Sequence, residues 1–241
     1  MPRPRVVTGP MTARPQAGPA AIDRVGHTLS DKVEAIVRTQ IISGARQPGE
    51  RLNEVEIAAE LAVSRGPIRE AMQRLARDGL VRMESHRGAF VRKLDAGEVR
   101  ALFEVRSSLE CAAAALAAER AGHNEIVALR ELIESSRGAV ESDVDSHYPE
   151  RLDLHALIVG CSRNAALTRY LRLVNLELKL VRARSGFQAV RAPNALEEHV
   201  RVVVAIAARD PDAARAAMTD HMESALSSAL GLLRSTEEAD R

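Results

Sequence analysis

Apolar residues near the start of the chain recur at the spacing of helical turns. In the first such segment they form one face of a helix predicted over 29–42: Leu29, Val33, Ile36, Val37 and Ile41. The same periodicity predicts helices over 53–61 and 64–78. Each segment begins at a residue suited to an N-cap: Thr28 or Ser30, then Asn53, then Ser64. A tight turn at Ala62-Val63 separates the second helix from the third.

Two short apolar segments follow, and they predict strands over 80–84 and 89–92. The residues between them, Ser85 to Gly88, predict a hairpin turn. Three helices followed by a hairpin are the order of a winged helix-turn-helix, which we assign to residues 26–93. Residues 1–25 hold Pro, Gly and Arg without periodicity, which predicts a disordered tail.

The remainder of the chain predicts helices only: 95–121, 124–142, 149–161, 164–185, 194–209 and 211–234. Glycine, proline or acidic turn residues mark the breaks between them. The predicted fold is therefore mainly α, with the winged helix-turn-helix followed by an all-α bundle of six or seven helices over 95–234. Residues 235–241 are polar and predict a frayed tail.

Composition and charge limit the function. Aromatic residues are 2% of the 241 residues, too few for modes that stack bases on aromatic rings. Residues 1–95 carry 16 Arg and Lys against 11 Asp and Glu, a net +5, whereas residues 96–241 carry 18 against 22, a net −4. A basic first part favours contact with a polyanion. Two cysteines and the lack of a membrane-length apolar run or signal-peptide pattern predict a cytoplasmic protein with no membrane partner.

Several polar residues stand where a winged helix-turn-helix touches DNA. The third helix would place its first residues on base edges in the major groove: Ser64, Arg65, Gly66 and Arg69. Arg65 and Arg69 are one turn apart, and arginine suits a bidentate contact with guanine. The hairpin would bring its turn to the neighbouring minor groove or backbone: His86, Arg87 and Gly88. The expected partner is a double-stranded DNA operator.

Residues 47–92 resemble the DNA-binding domain of GntR-type bacterial repressors. The segment QPGERLNEVEIAAELAVSRGPIREAMQRLARDGLVRMESHRGAFVR matches the family pattern nearly throughout. One departure is Gly66, where the family usually has Thr. The loss of that hydroxyl predicts altered operator preference at one base.

The helical part resembles the FadR-type ligand-binding (FCD) domain. Three segments carry the resemblance: Glu104-Val105-Arg106 with Leu109-Glu110; His155 with Asn164 and Leu167; and Glu198-His199 with Asp210, Ala213-Ala214, Met218 and His221. The resemblance implies a homodimer on a palindromic operator and a small carboxylate effector. It also implies a Zn, Ni or Mn site completed by an Asp four residues before the first histidine. Arg151 occupies that position.

Spacing also links the three histidines. His155, His199 and His221 share apolar stripes of three different predicted helices, so they can converge on a divalent metal. A guanidinium at Arg151 would instead favour a metal-free pocket that binds a carboxylate through Arg151, Arg106 and the histidines. The third interpretation is three core histidines with only structural contacts.

Two further polar residues interrupt apolar helix faces. Arg106 either pairs with Glu110 or anchors an acidic effector. Asn175 lies on the apolar face of 164–185 and would line the same cavity. We therefore assign Arg106, Arg151 and Asn175 to effector binding.

Other functions are less consistent with these residues. A metal hydrolase would need a carboxylate base tied to the histidines, and the chain has no HExxH, GxSxG or phosphate-loop motif. A nonspecific architectural DNA binder would not need a sensor domain of this size. The sequence thus predicts a non-enzymatic, ligand-responsive transcription regulator, acting as a repressor that a carboxylate releases from or tunes on its operator.

Overall fold

The computed structural model describes residues 28–142, 154–182 and 192–239. The first part contains three helices and three strands: α1 (Leu29–Ile42), β1 (Arg51–Leu52), α2 (Glu54–Glu60), α3 (Arg65–Arg77), β2 (Val81–Glu84) and β3 (Gly88–Val91). The second part contains six helices within those ranges: α4 (Ala96–Arg120), α5 (His123–Ser142), α6 (Leu154–Cys161), α7 (Ala165–Arg182), α8 (Ala192–Ala207) and α9 (Pro211–Ala239). The mainly α fold with an N-terminal winged helix-turn-helix is confirmed.

Local capping explains where the first helices begin. Thr28 and Asp31 form a capping box, in which each side chain accepts a hydrogen bond from the other residue's backbone N–H. Thr28 is therefore the N-cap of α1, and the alternative, Ser30, is buried and donates to Glu70. The Asn53 side chain accepts from Val55 N at the start of α2.

The sheet has one strand more than the sequence predicts. Its strand order is β1-β3-β2, and all pairs are antiparallel. The predicted hairpin is present, with strands over 81–84 and 88–91 instead of 80–84 and 89–92. Strand β1 has only the two residues Arg51–Leu52, which is too short to show an alternating pattern.

The helical part is built around two long helices. Helix α4 packs along α9, and small side chains on α4 let its neighbours approach closely: Ala114, Ala117 and Ala118. Larger side chains on α8 and α9 fill the space opposite them: Val202, Ile206 and Met218. Cys111 and Cys161 are buried and form no disulfide.

Some predicted boundaries differ from the structure. Helix α9 continues to Ala239, although the sequence predicts an end at 234 and a frayed tail from 235. The reason is that residues 232–239 contain no Gly or Pro to end the helix, and Leu232 and Leu233 are buried in the core. Only 154–161 of the helix predicted over 149–161 is described, and the tail predicted over 1–25 lies outside the described residues.

The winged helix-turn-helix and the helical part share one apolar core. Phe103 of α4, Leu178 of α7 and Leu232 of α9 are buried in the same cluster as Ile68 and Leu75 of α3. Arg92, just after β3, joins the two parts through Glu98 at 2.8 Å and Glu177 at 2.5 Å. The sheet end is thus fixed against α4 and α7. Within the described ranges, no helix combines the length and apolar character that crossing a membrane requires.

Candidate DNA interface and candidate metal centre

The start of α3 is exposed and rich in hydrogen-bond donors. Ser64 is its N-cap residue, yet its side chain makes no capping hydrogen bond. Arg65, Gly66 and Arg69 are all exposed, and Arg69 makes a long contact of 3.4 Å with Glu54. The opposite face of α3 is buried through Ile68, so the helix is held with its N-terminal arginines outward. The geometry agrees with a helix end that meets base edges and phosphate.

The hairpin turn presents the second predicted group of DNA contacts. His86 and Arg87 are exposed at the tip between β2 and β3. His86 and Gly88 both have positive φ, 61° and 97°. A Cβ at Gly88 would meet nothing within 4 Å, so the backbone conformation rather than packing favours glycine there. Arg87 lies over the Phe90 ring and pairs with Glu84 at 2.6 Å.

The three histidines of the helical part meet at one point. Nε2 of His221 lies 3.1 Å from Nε2 of His155 and 3.2 Å from Nε2 of His199. His155 comes from α6, His199 from α8 and His221 from α9, and the last two are buried. One ligand atom from each ring lies within 4.8 Å of the others. The convergence expected from three separate helical stripes is present.

Carboxylates stand behind two of these rings. His221 Nδ1 donates to Glu198 Oε2 at 2.7 Å, which leaves the lone pair of His221 on Nε2. His155 Nδ1 lies 3.2 Å from Glu110 Oε1, misaligned for a hydrogen bond, so this contact is electrostatic. The negative charge favours the proton on Nδ1 of His155 as well. Both rings therefore direct Nε2 lone pairs toward the same point, as metal-binding histidines do.

Two of the three distances between the Nε2 atoms fit a bound cation, and both involve His221. His221 Nε2 has a single lone pair but two nitrogen neighbours. In the absence of a cation it could accept a good hydrogen bond from only one of them. Nitrogens coordinated at 2.0–2.1 Å to one ion lie about 3.0–3.4 Å from each other. The observed 3.1 and 3.2 Å fall in that range. Three imidazoles also leave open positions for water or a ligand.

Arg106 is engaged with Glu110 in the interior. Its Nε lies 3.5 Å from Glu110 Oε1, and both side chains are almost fully buried. Burial alone would raise the pKa of Glu110, but His155 and Arg106 beside it hold that pKa below its ordinary value. The ion pair with Glu110, which is one of the two interpretations of Arg106, is present, and effector binding by Arg106 stays a prediction. A guanidinium neutralised in this way is a poor free anchor for an anion.

A cavity of about 660 Å³ adjoins the histidine cluster. His155 and Glu110 line one end, and Asn175 of α7 lines the wall, as its position on the apolar face predicts. Arg106 is not part of the lining, and Arg151 lies outside the described residues. The volume is in the range of small-molecule sites.

Sequence reasoning missed the carboxylate partner of His221. Glu198 is next to His199 along the chain but reaches a histidine on another helix. A signal was present, because Glu198 shares a helical stripe with the apolar residues Ala195 and Val202. A charged residue at such a position requires a buried partner.

A winged helix-turn-helix joined to a helical domain whose cavity is lined in part by His155 is the arrangement expected of a DNA-binding transcription regulator. Residues 29–91 match the family model of bacterial regulatory proteins of the gntR family, and residues 101–224 match that of the FCD domain. The chain belongs to the GntR family and carries an FCD domain. Its family and named relatives are transcription regulators, which confirms the prediction that the chain is not an enzyme.

Individual relatives agree with this assignment. The Nta operon transcriptional regulator of Aminobacter aminovorans is 32% identical over 188 residues, which cover 78% of this chain and 88% of that protein. The HTH-type transcriptional repressor RspR of Escherichia coli is 29% identical over 198 residues, which cover 81% of this chain and 86% of that protein. A transcriptional regulator from Rhodococcus sp. RHA1 has a similar structure, with a TM-score of 0.67 at 29% identity over 84% of this chain and 97% of that one.

Proposed function

We propose that this regulator senses a small carboxylate through a divalent cation held by His155, His199 and His221. The observation that carries the proposal is the meeting of three Nε2 atoms, with carboxylates behind two of the rings. A cation there would supply an electrophile with open positions, to which a carboxylate oxygen binds well. Glu198 and Glu110 would orient the rings and raise their basicity.

We further propose that DNA contact uses the residues predicted from the sequence: Ser64, Arg65, Gly66, Arg69, His86, Arg87 and Gly88. Their exposure at the start of α3 and at the hairpin tip supports this assignment. A homodimer would present two such units to a palindromic operator in the cytoplasm, with the regulator acting as a repressor. Repression is the activity named for RspR.

The carboxylate would act by stabilising one arrangement of the two parts over another. Helix α7 supports this proposal, because it lines the cavity through Asn175 and contacts Arg92 through Glu177. A ligand that binds one arrangement better shifts the population between them. A coupling free energy of about 1–3 kcal/mol changes operator affinity by about 5–150-fold.

The histidine proposal is tested on operator DNA selected from a random pool with the full chain. Fluorescence anisotropy would measure release of that DNA from Zn- or Ni-loaded protein by a panel of small carboxylates. His199→Ala should keep DNA binding in the absence of carboxylate and lose the response. A response that survives in His199→Ala contradicts the assignment of the sensor to the histidines. If the same carboxylates also release DNA from metal-free protein, that result would favour the anion pocket without metal.

A further inference from the structure

The cavity next to the histidines is walled by both parts of the chain. His155 and Glu110 line its end in the helical part, whereas Glu34, Arg38 and Asp78 belong to the winged helix-turn-helix. Asp78 is the C-cap residue of α3, the helix whose other end carries the proposed DNA contacts. A molecule that fills this cavity therefore contacts the DNA-binding part directly.

Helix α7 forms the wall between these two ends. Arg172, Asn175 and Lys179 all line the cavity, and their spacing of three and four residues puts them on one helix face. These three polar side chains therefore follow the cavity wall toward the winged helix-turn-helix.

The charges along this wall favour an anion. Arg38 is already paired, at 2.5 Å with Glu34 and 2.6 Å with Asp78. Arg172 and Lys179 are exposed and make no ion pair with any residue of the described ranges. The Arg172 and Lys179 side chains lie on one helix face with no carboxylate between them in the cavity lining, so they can bind a negatively charged group.

The size of the cavity also bears on the ligand. A volume of about 660 Å³ is large for a simple monocarboxylate, which would occupy only the end near His155. Arg172 and Lys179 are seven residues apart on α7, which is about 10 Å along the helix axis, so a ligand that extends along this wall is longer than a simple monocarboxylate.

We infer that the cavity takes a linear dicarboxylate whose far carboxylate is received by Arg172 and Lys179, beside the Glu34–Arg38–Asp78 cluster of the DNA-binding part. The inference rests on the proposed function, which supplies the near carboxylate site at His155. It adds the ligand class and the residues that select it. The second carboxylate would also compete with Glu34 and Asp78 for Arg38.

The test is isothermal titration of Zn- or Ni-loaded full-length protein with two matched series. Succinate, glutarate, adipate and pimelate carry two charges, and butyrate, pentanoate, hexanoate and heptanoate carry one on chains of the same lengths. We expect at least one dicarboxylate to bind about tenfold more tightly than its partner, the combined effect of two exposed ion pairs. The double variant Arg172→Gln/Lys179→Met should lose this preference.

Arg169→Gln is the matched control, because Arg169 is an exposed arginine of α7 outside the cavity lining. It should bind both series as the wild type does. Equal affinity for the two series, or a preference that the double variant retains, overturns the inference and leaves the proposed function standing. Absence of binding by both series overturns both. His155→Ala reports on the proposed function separately, since unchanged binding of a dicarboxylate there contradicts the histidine site alone.

Discussion

Glu198 lies 2.7 Å from Nδ1 of His221, and both side chains are buried between α8 and α9. This contact fixes the orientation of the ring and directs its Nε2 toward His155 and His199. Burying a carboxylate costs desolvation free energy, and a histidine that is charged or bound to a metal offsets this cost. The pair therefore connects a buried charge to the chemistry of the cluster.

Glu198→Gln should weaken metal binding by about 10–100-fold, because the amide orients the ring less strongly and lowers its basicity. Competition with a chromophoric chelator would measure the affinity for Zn²⁺ or Ni²⁺. Glu197→Gln is the control, since Glu197 is the exposed neighbour on the same helix. Equal affinity in Glu198→Gln and Glu197→Gln would exclude a role for the Glu198 carboxylate.

Arg69→Ala should cost about 1–3 kcal/mol of specific operator binding, as expected for an arginine on a base edge. Anisotropy titrations with selected operator DNA and a scrambled sequence would measure this. Arg77→Ala provides the comparison, because Arg77 is also exposed but lies at the far end of α3. If Arg69→Ala binds the operator as well as Arg77→Ala does, Arg69 is not in the interface.

Two glycines of the winged helix-turn-helix should respond to alanine with opposite signs. Gly79 has φ +75°, and a Cβ there would lie 2.5 Å from the Glu177 side chain, so Gly79→Ala should destabilise the fold by about 1 kcal/mol or more. Gly66 lies within α3 with nothing within 4 Å, so Gly66→Ala should stabilise it by up to about 1 kcal/mol. Urea unfolding would measure both free energies. A stability change of the same sign in the two variants would refute the backbone argument.

The periodicity of apolar residues was sufficient to predict the helices that bury one face. The helix over 29–42 has the predicted bounds, and the three histidines meet as their stripes predict. Periodicity could not place β1, whose two residues owe their conformation to pairing with Phe90 and Ala89. It also could not place the contacts of Glu198, because partners on separate helices depend on how those helices pack.

Acid should weaken the contact between α1 and α3 through two carboxylates. A hydrogen bond from the Thr28 backbone, together with Arg74, lowers the pKa of Asp31 below its ordinary 3.8. Hydrogen bonds from Ser30 and Arg74 lower the pKa of Glu70 below 4.5. The unfolded chain therefore binds more protons in this range, so the stabilisation is complete above about pH 4.5 and is lost as pH falls through the folded values.

Asp31→Asn provides the corresponding measurement. Its free energy of unfolding should lie below that of the wild type at pH 7 and approach it at low pH, where Asp31 is protonated in both states. Urea titrations across this pH range would show the convergence. A constant difference between the two proteins at every pH would contradict the assigned contribution of the Asp31 carboxylate.

If His155, His199 and His221 hold a metal, the metal content of the purified protein shows it most directly. Tag-free protein purified without chelator, then offered Zn²⁺, Ni²⁺ or Mn²⁺ and dialysed, would be analysed by mass spectrometry beside His199→Ala and His86→Ala. His86 is exposed on the hairpin, far from the cluster in the fold, and serves as the control. We predict about one equivalent per chain in the wild type and His86→Ala, and loss of metal in His199→Ala. Wild-type protein that stays metal-free, or His199→Ala that keeps a full equivalent, would contradict the claim.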